Sequence, residues 1–578
     1  MMNILRSLVR RGAALCLAAL LVLPVFAADG KSEAAGRQED LDFLYGQVLA
    51  RHPDLFANTP EAEFLALKAE IEARLETESK TDFLLDLMRL TALVGDSHTM
   101  LSIGNAADLR IYPFSLVRRG TAWYLSTAAP EDRALLCQEV TALAGRPVED
   151  VVTAFGQIFG SDNRVHLRRN FRQASNVADI YEYLGLVEPG APLTVEMKDG
   201  KTLSLEPVDQ AAANELEAVR IADLITGTPE TAQADAYYAA KPLSESTYYI
   251  QYNACAEEED LPMEDFAAQV AEDLEKGSYD RILLDLRNNG GGSDGVIWPL
   301  FSLIRTRQLV QGDDVELVGL IGERTFSSAL INAVEIQEMG GVLAGEAAGG
   351  SVCHFGAVKT FALPNSKVPG QLSSKYIDLS TLLDAGAGRG VEALEPDVEV
   401  AQTLEDTLAG KDTLVDWLMG HPERLEAKAY PDAPLTRGRF IGLLYEAAGE
   451  PEAALMELPF QDCLGGIEWY TPALGWAKAT GIALGDTEGN FNAARPVTWK
   501  EAAVFLARAA AALNLPEPDP ATNRRGPVPA ALAGGWMQSS ATLAWDLGLL
   551  PASVDYSQPP TREQGEGMAE SLGVQVSR

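Results

Sequence analysis

The chain has 578 residues, with 46 Lys and Arg against 83 Asp and Glu, and a formal net charge of −37 at neutral pH. Phosphate backbones are repelled by a surface this acidic, which excludes a general nucleic-acid binder. With 47% apolar and 22% charged residues the composition is that of a folded chain, and the length allows three or four domains of roughly 100–200 residues each.

Arg6, Arg10 and Arg11 precede an apolar run over 13–22, Pro24 breaks it, and Val25-Phe26-Ala27 offers small residues for cleavage. This is the pattern of a secretory signal over 1–27. The run is short of the roughly 20 residues that span a bilayer. No later segment reaches that length, so the expectation is an exported chain without a membrane span. Leu15 precedes Cys16, where a lipidation site wants a small residue. Cys137, Cys255, Cys353 and Cys463 are too scattered for a disulfide framework and form no CxxC pair for zinc. They read as isolated buried thiols, and neither a metal nor an organic cofactor is expected.

Over 38–94 the spacing is helical: Leu41, Phe43, Leu44 and Val48 share one face, and Phe83, Leu84, Leu87, Met88 and Thr91 share another. Gly95-Asp96 stops the second helix. From 111 to about 207 short β-like runs follow, including 122–125 and Leu193–Met197, with Asp199-Gly200 as a hairpin turn. An Arg-rich helical insert over 164–184 interrupts them. From 247 to about 400 strands alternate with helices as in an α/β domain. The expected strands are 248–252, 281–286, 315–321 and 342–344. The expected helices are 264–276, 296–304 and 328–339, with 406–419 closing the unit and Pro431 and Pro434 marking a linker.

The last stretch repeats. Thr436-Arg437-Gly438-Arg439, Thr498-Trp499-Lys500-Glu501 and Thr561-Arg562-Glu563-Gln564 each open an apolar helical segment, at spacings of 62 and 63 residues. Phe460-Gln461-Asp462, Trp469-Tyr470 and 476–482, followed by Gly485 and Phe491, complete the middle unit. These copies resemble S-layer homology repeats, which implies attachment to bacterial cell-wall polysaccharide. Plain helical packing is the competing reading, since Trp and Ala at helical spacing also build cores. The first unit lacks its front half, and the third keeps only Leu543-Ala544-Trp545 and Gly548-Leu549. Asp486, Glu488, Asn490 and Asn492 are spaced like a calcium loop, but Val497 stands where a bidentate Glu is needed, so they read as a polar turn.

Two strand ends carry the chemistry. The 281–286 strand runs into Arg287-Asn288-Asn289-Gly290-Gly291-Gly292, a turn only glycine tolerates, whose outward amides suit an oxyanion. A phosphate-binding version normally carries a Lys after the glycines, whereas this loop continues Ser293-Asp294-Gly295. Further on, Val318-Gly319-Leu320-Ile321-Gly322 leads through Glu323-Arg324-Thr325-Phe326-Ser327-Ser328 into a helix, which puts Ser327 on a strand-to-helix turn. A Ser at that place is also a natural helix cap. A nucleophile beside an oxyanion nest is what acyl transfer requires.

Asp285-Leu286-Arg287-Asn288-Asn289 with Gly291-Gly292, Thr325-Phe326-Ser327-Ser328-Ala329, Gly345-Glu346 and Glu395-Pro396-Asp397-Val398 together resemble the S41 serine peptidases, the carboxy-terminal processing and tricorn-type proteases. The resemblance runs from about residue 40 to 421. It implies Ser327 as nucleophile and the Gly291 and Ser328 amides as oxyanion hole. Processing members use a Lys after the Gly-Glu pair, and Ser351 occupies that position here, so a lysine base is excluded there. Tricorn-type members bring a Ser-His pair from elsewhere, and Gly95-Asp96-Ser97-His98-Thr99 looks like that pair. By the resemblance His98 is the base and Ser97 its support, with Glu395 or Glu392 orienting the apparatus. Taken alone, His98 at a helix end could be a C-cap cation. His354 is a competing base and, with Ser351, a candidate substrate contact. Leu330 stands where the family usually has Glu, which leaves room for a degraded enzyme. Glu139-Val140-Thr141-Ala142-Leu143-Ala144-Gly145 resembles the peptide-binding loop of a PDZ domain.

The expected fold class is therefore α/β with a crotonase-like catalytic core. The expected organisation is a signal peptide (1–27), an N-terminal helical subdomain (28–108), a β-rich and degenerate PDZ-like region with a helical insert (109–240), the catalytic core (241–421), a linker (422–434) and all-α S-layer homology repeats (435–578). The expected function is a secreted, cell-wall-attached serine peptidase acting on a peptide or protein through an acyl-enzyme. The alternative is an inactive peptide-binding relative with the same anchor.

Overall fold

The computed structural model describes residues 32–104, 109–232, 235–310, 315–379, 392–428, 431–451, 459–462, 470–493, 495–516, 518, 525–535 and 537–577. The signal segment 1–27, Cys463 and Trp469 lie outside them. The architecture is mixed α/β. Among the described residues no helix is long and apolar enough to cross a membrane.

Three N-terminal helices replace the two expected: α1 (Glu33–Arg51), α2 (Glu61–Glu72) and α3 (Lys80–Ala92). The extra one, α2, buries Phe64, Leu67 and Ile71, a three- and four-residue spacing like those of its neighbours. Ser32 and Ser79 cap α1 and α3 by accepting from the Ala35 and Asp82 amides. Beyond α3, Gly95 at φ +72 turns the chain into Asp96–Thr99 and then strand β1 (Met100–Leu101).

The β-rich region is an antiparallel sheet in the order β2 (Ser115–Arg119), β3 (Ala122–Ala128), β4 (Glu139–Leu143), β5 (Leu193–Met197) and β6 (Thr202–Leu205). Between β4 and β5 lie α4 (Val148–Phe155), α5 (Arg164–Ala174) and α6 (Ala178–Tyr183). Phe155 packs against Phe171 and Tyr181 at centroid distances of 5.0 and 5.2 Å, so the insert is part of the core. One continuous apolar cluster joins this sheet to α1–α3. Residues 139–145, where a PDZ-like peptide-binding loop is expected, lie inside this sheet. Residues 139–143 form an inner strand paired with β3 on one side and β5 on the other, and Ala144-Gly145 is a tight turn with φ of 49° and 70°. A peptide adding as a strand finds neither edge of β4 open.

The core sheet runs β7 (Tyr238–Pro242), β8 (Thr247–Tyr252), β9 (Arg281–Asp285), β10 (Glu316–Ile321), β11 (Val342–Gly345), with β16 (Val398–Glu399) at the far edge. Only β7 is antiparallel to its neighbour. Strands β8 to β11 are buried throughout, as expected of a parallel sheet covered on both faces. Helices α7 (Met263–Lys276), α8 (Trp298–Val310) and α9 (Ser328–Glu338) cover one face, meeting Ile250, Ile282 and Leu284. Tyr249, Leu283, Val318 and Leu320 point the other way, onto Leu414, Val415 and Leu418. The expected closing helix is two, α10 (Leu404–Ala409) and α11 (Thr413–Gly420), because Gly410 at φ +69 packs on Gly227.

Between β11 and β16 the chain forms β12 (Cys353–Gly356), β13 (Lys359–Ala362), β14 (Pro369–Leu372) and β15 (Lys375–Asp378). β12 pairs with β15, while β14 pairs with β13 and also with β1. That last pairing ties the segment after α3 to the core unit, and Gln371 Nε2 donates to the His98 carbonyl at 3.0 Å.

The C-terminal helices are α12 (Arg437–Ala447), α13 (Thr471–Ala479), α14 (Trp499–Ala512), α15 (Gln538–Asp546) and α16 (Arg562–Val576), around an apolar cluster of their own. The repeated threonines have a physical role. Thr436, Thr498 and Thr561 are the N-caps of α12, α14 and α16, and the last two complete capping boxes with Glu501 and Gln564. The residues ahead of them meet, with Leu435 N on Pro560 O at 2.8 Å and Val497 N on Leu435 O at 2.9 Å. Asp486 accepts from the Glu488 and Asn490 amides, a self-contained polar turn.

Candidate active site

The charges of the Asp285-Leu286-Arg287 segment are structural. The Asp285 carboxylate accepts from Arg287 N at 2.9 Å, Arg287 Nε at 3.0 Å and the Tyr249 hydroxyl at 2.7 Å. Arg287 forks onward to Asp412 at 2.8 and 2.7 Å, clamping the loop to the start of α11. Asn289, fully buried, donates to Tyr252 O at 3.0 Å and accepts from Gly291 N at 2.9 Å and from the Cys255 thiol. Gly291 sits at φ +101, and a Cβ there would lie 2.7 Å from Ser327 Cβ and 3.1 Å from Ser328 N. Only glycine lets the two turns approach so closely.

The Ser327 turn is laced to that loop. Thr325 Oγ1 donates to Leu286 O at 2.9 Å and accepts from Gly322 N at 3.1 Å, Phe326 N donates to Asn289 O at 3.2 Å, and Ser328 Oγ donates to Gly292 O at 2.9 Å. Ser327 is half-buried and held at φ 54°, ψ −128°. A non-glycine residue there stores about 1–3 kcal/mol of strain, which packing must sustain. It precedes α9, yet its side chain caps no amide, so helix capping does not account for it. Among the described residues its hydroxyl has no hydrogen-bond partner, and neither do the Ser328 and Gly292 amides. The expected Gly291 amide is turned onto Asn289, while the Gly292 and Ser328 amides stay without a partner among the described residues.

Four of the five histidines gather here, although they come from distant parts of the chain. The His98 ring stacks on Phe326 at 4.4 Å and 20°. His354 lies beyond His98 at 5.6 Å and 15°, and His166 of α5 stacks on Phe326 at 4.9 Å and 14°. His52 packs against Phe355 at 4.6 Å. Both ring nitrogens of His98 and the Nε2 of His354 are buried without a partner. His354 Nδ1 donates to Ser351 O at 2.7 Å, which leaves Nε2 as the acceptor. No hydrogen bond joins Ser327 to either ring among the described residues.

Asp96 organises the loop that carries His98. Its carboxylate accepts from His98 N at 2.7 Å, from Thr99 Oγ1 at 2.8 Å and from His52 Nε2 at 2.9 Å, the Asp54 amide on His52 Nδ1 fixing that tautomer. Burial pushes the Asp96 carboxyl up, but the His52 and Thr99 bonds outweigh it and hold the pKa below its ordinary value. Burial, then the neighbouring His354, pulls His98 down to about 4. Burial and Arg169 pull His166 down to about 3, and burial lowers His354 against its bond to Ser351. The column is therefore made of neutral imidazoles.

The other expected residues divide. Ser97 Oγ accepts from Asp162 N at 2.8 Å, so it braces the loop. Burial raises the Asp162 carboxyl to about 7. Ser351 is fully buried; its hydroxyl accepts from Asn163 Nδ2 at 2.8 Å, and it reaches the column only by holding His354. Glu395 is not brought to the histidines: its carboxylate is exposed and pairs with Lys428 at 3.0 Å. The Glu392 residue is exposed as well. Leu330 is core, packed against Gly350. Sequence reasoning missed His52, His166, Asp162 and Asn163. The scarcity of histidine, five in 578 residues, was the one usable signal.

No protein-family model matches the chain, and no curated protein does. Among solved structures, mature CPAF complexed with lactacystin is 14% identical with a TM-score of 0.45, over 67% of this chain and 97% of its own. The photosystem II D1 C-terminal processing protease is 15% identical with a TM-score of 0.29, over 65% of this chain and 98% of its own. The tricorn protease is 14% identical with a TM-score of 0.30, over 66% of this chain and 36% of its own.

Proposed function

We propose that the protein is a serine peptidase, exported and held at the cell wall. Ser327 Oγ attacks the carbonyl carbon of a peptide bond while the neutral His98 ring takes its proton. The tetrahedral oxyanion is met by the amides beside Ser327, and the proton returns to the departing amine, leaving an acyl-enzyme that water hydrolyses. One observation carries this reading: a strained serine whose hydroxyl caps nothing stands against a glycine turn, and the ring of its neighbour Phe326 stacks on a buried imidazole with both nitrogens unpaired. The Ser327→Ala variant should lose hydrolysis of peptide substrates while keeping its melting temperature. Unchanged turnover would overturn the assignment.

The engagement of Gly291 N–H by Asn289, and the lack of a Ser327–imidazole bond, favour a second reading in which the groove binds peptides without cleaving them. A fluorophosphonate probe separates the two, since labelling at Ser327 requires an activated hydroxyl and a binder stays unlabelled. The basic and apolar leader and the three capped repeats support export and attachment. Full-length protein should sediment with purified bacterial cell walls, and a protein that stays in the supernatant would leave the repeats as plain helical packing.

A further inference from the structure

In a chain with 83 acidic residues, arginines collect beside the nucleophile turn. Helix α5 packs on β2. Arg168, Arg169 and Arg172 of α5 thereby join Arg118 and Arg119 of β2, and Arg324 stands three residues before Ser327. Arg169 lies over the Phe326 ring at 5.8 Å, and Arg172 pairs with Glu323 at 2.6 Å, so the group reaches the turn itself.

The acids nearby do not balance it. Glu149 is shared by Arg164 and Arg168, at 2.8 and 3.0 Å. Glu323 is taken by Arg172. Glu346, the remaining acid facing Arg118 and Arg119, forms no ion pair with either among the described residues. Arg118, Arg169 and Arg324 likewise hold no carboxylate there, and Arg118 Nε, Arg169 Nε and Arg172 Nε are buried without partners. Burial lowers the pKa of Arg118, Arg119 and Arg169, with Arg168 adding to it for Arg118 and Arg324 for Arg169. Half-buried guanidinium groups in such surplus are costly in the free protein and become favourable when a carboxylate joins them. A polyanion such as nucleic acid is a poor match, because the field of the remaining surface repels a long negative chain while a short acidic segment meets only the local cluster.

We propose that this arginine cluster recognises Asp or Glu side chains of the substrate, so that the Ser327 site acts on acidic peptide segments. The inference rests on the peptidase reading, and its test is separable from it. Binding is measured by fluorescence anisotropy on the Ser327→Ala protein, where no cleavage intervenes. The probes are short fluorescein-labelled peptides: one Glu-rich with an amidated C-terminus, its Gln counterpart, and the Gln peptide with a free C-terminal carboxylate.

The expected result is at least ~10-fold tighter binding of the Glu peptide than of its Gln counterpart, weakening with salt and reduced by Arg169→Gln and by Arg324→Gln. Arg324 is exposed, so its substitution keeps the comparison valid if Arg169→Gln fails to fold. Equal affinity for the Glu and Gln peptides overturns the proposal, whatever Ser327 does in the unmodified enzyme. Preference for the free C-terminus without preference for Glu also overturns it, because the cluster would then read chain ends. Hydrolysis of the Gln peptide by unmodified protein reports on the chemistry separately.

Discussion

The imidazoles of His98 and His354 lie nearly parallel, 15° between planes and 5.6 Å between centroids, with Phe326 on the far side of His98. One ring comes from the turn after α3 and the other from β12, and the β1–β14 pairing brings them together. Burial, and then His354 beside it, disfavour protonation of the His98 ring. A neutral imidazole with unpaired nitrogens can accept a proton.

Removing each ring should therefore have unequal effects. His98→Ala is expected to lower kcat by about 10²–10⁴, the usual worth of a general base. His354→Ala should cost less and chiefly raise KM. Steady-state kinetics on both variants checks this, and a larger kcat loss for His354→Ala would move the base to that residue.

The pH profile follows from the direction of the shifts. His98 titrates at about 4 in the folded chain, below its unfolded value of about 6.5. Between those values the unfolded chain binds more protons, so this group's contribution to stability is lost as pH falls from 6.5 towards 4. The His98 proton resonance should not titrate in NMR spectra above about pH 5, and activity should show no loss near pH 6.5 from this ring.

Asp162 works in the opposite sense. Its folded value is raised to about 7, so the folded chain keeps a proton that the unfolded chain has released, and stability declines as pH rises from about 4 to 7. Asp162→Asn should melt higher than the unmodified protein at pH 8 and gain less at pH 5. Scanning calorimetry at both pH values reads the difference.

Two adjacent glycines give a paired test. An added methyl at Gly291 meets Ser327 Cβ at 2.7 Å from a φ of +101°, whereas at Gly290 it meets nothing within 4 Å. Gly291→Ala should lower kcat by about 10² or more through displacement of Ser327, the proposed nucleophile, and Gly290→Ala should stay near the parent value.

Asp412→Ala strips Arg287 of one of its two carboxylates in a largely buried pair. The expected destabilisation is about 3 kcal/mol by urea unfolding. In the repeats, Thr498→Ala breaks a capping box and should cost about 1 kcal/mol.

Much of the fold was legible because local chemistry decided it. The alternation of buried strands with helices over 247–345 was readable from apolar runs and their periods, and the observed strands agree within a residue or two. The repeat offset was readable because each copy begins with a capping threonine. Helix α2 escaped notice although its apolar residues recur at helical spacing. The split at Gly410 escaped because its cause, the approach of Gly227, is remote in sequence.

The sequence by itself determined that two glycine- and serine-bearing turns follow neighbouring strands, since strand, turn and helix signals are short-range. Tertiary structure alone decided which amides stay open, that Ser351 is buried, that Glu395 faces solvent, and that His166 and Arg169 of α5 reach Phe326. Those outcomes depend on long-range pairing and burial, which no local spacing encodes.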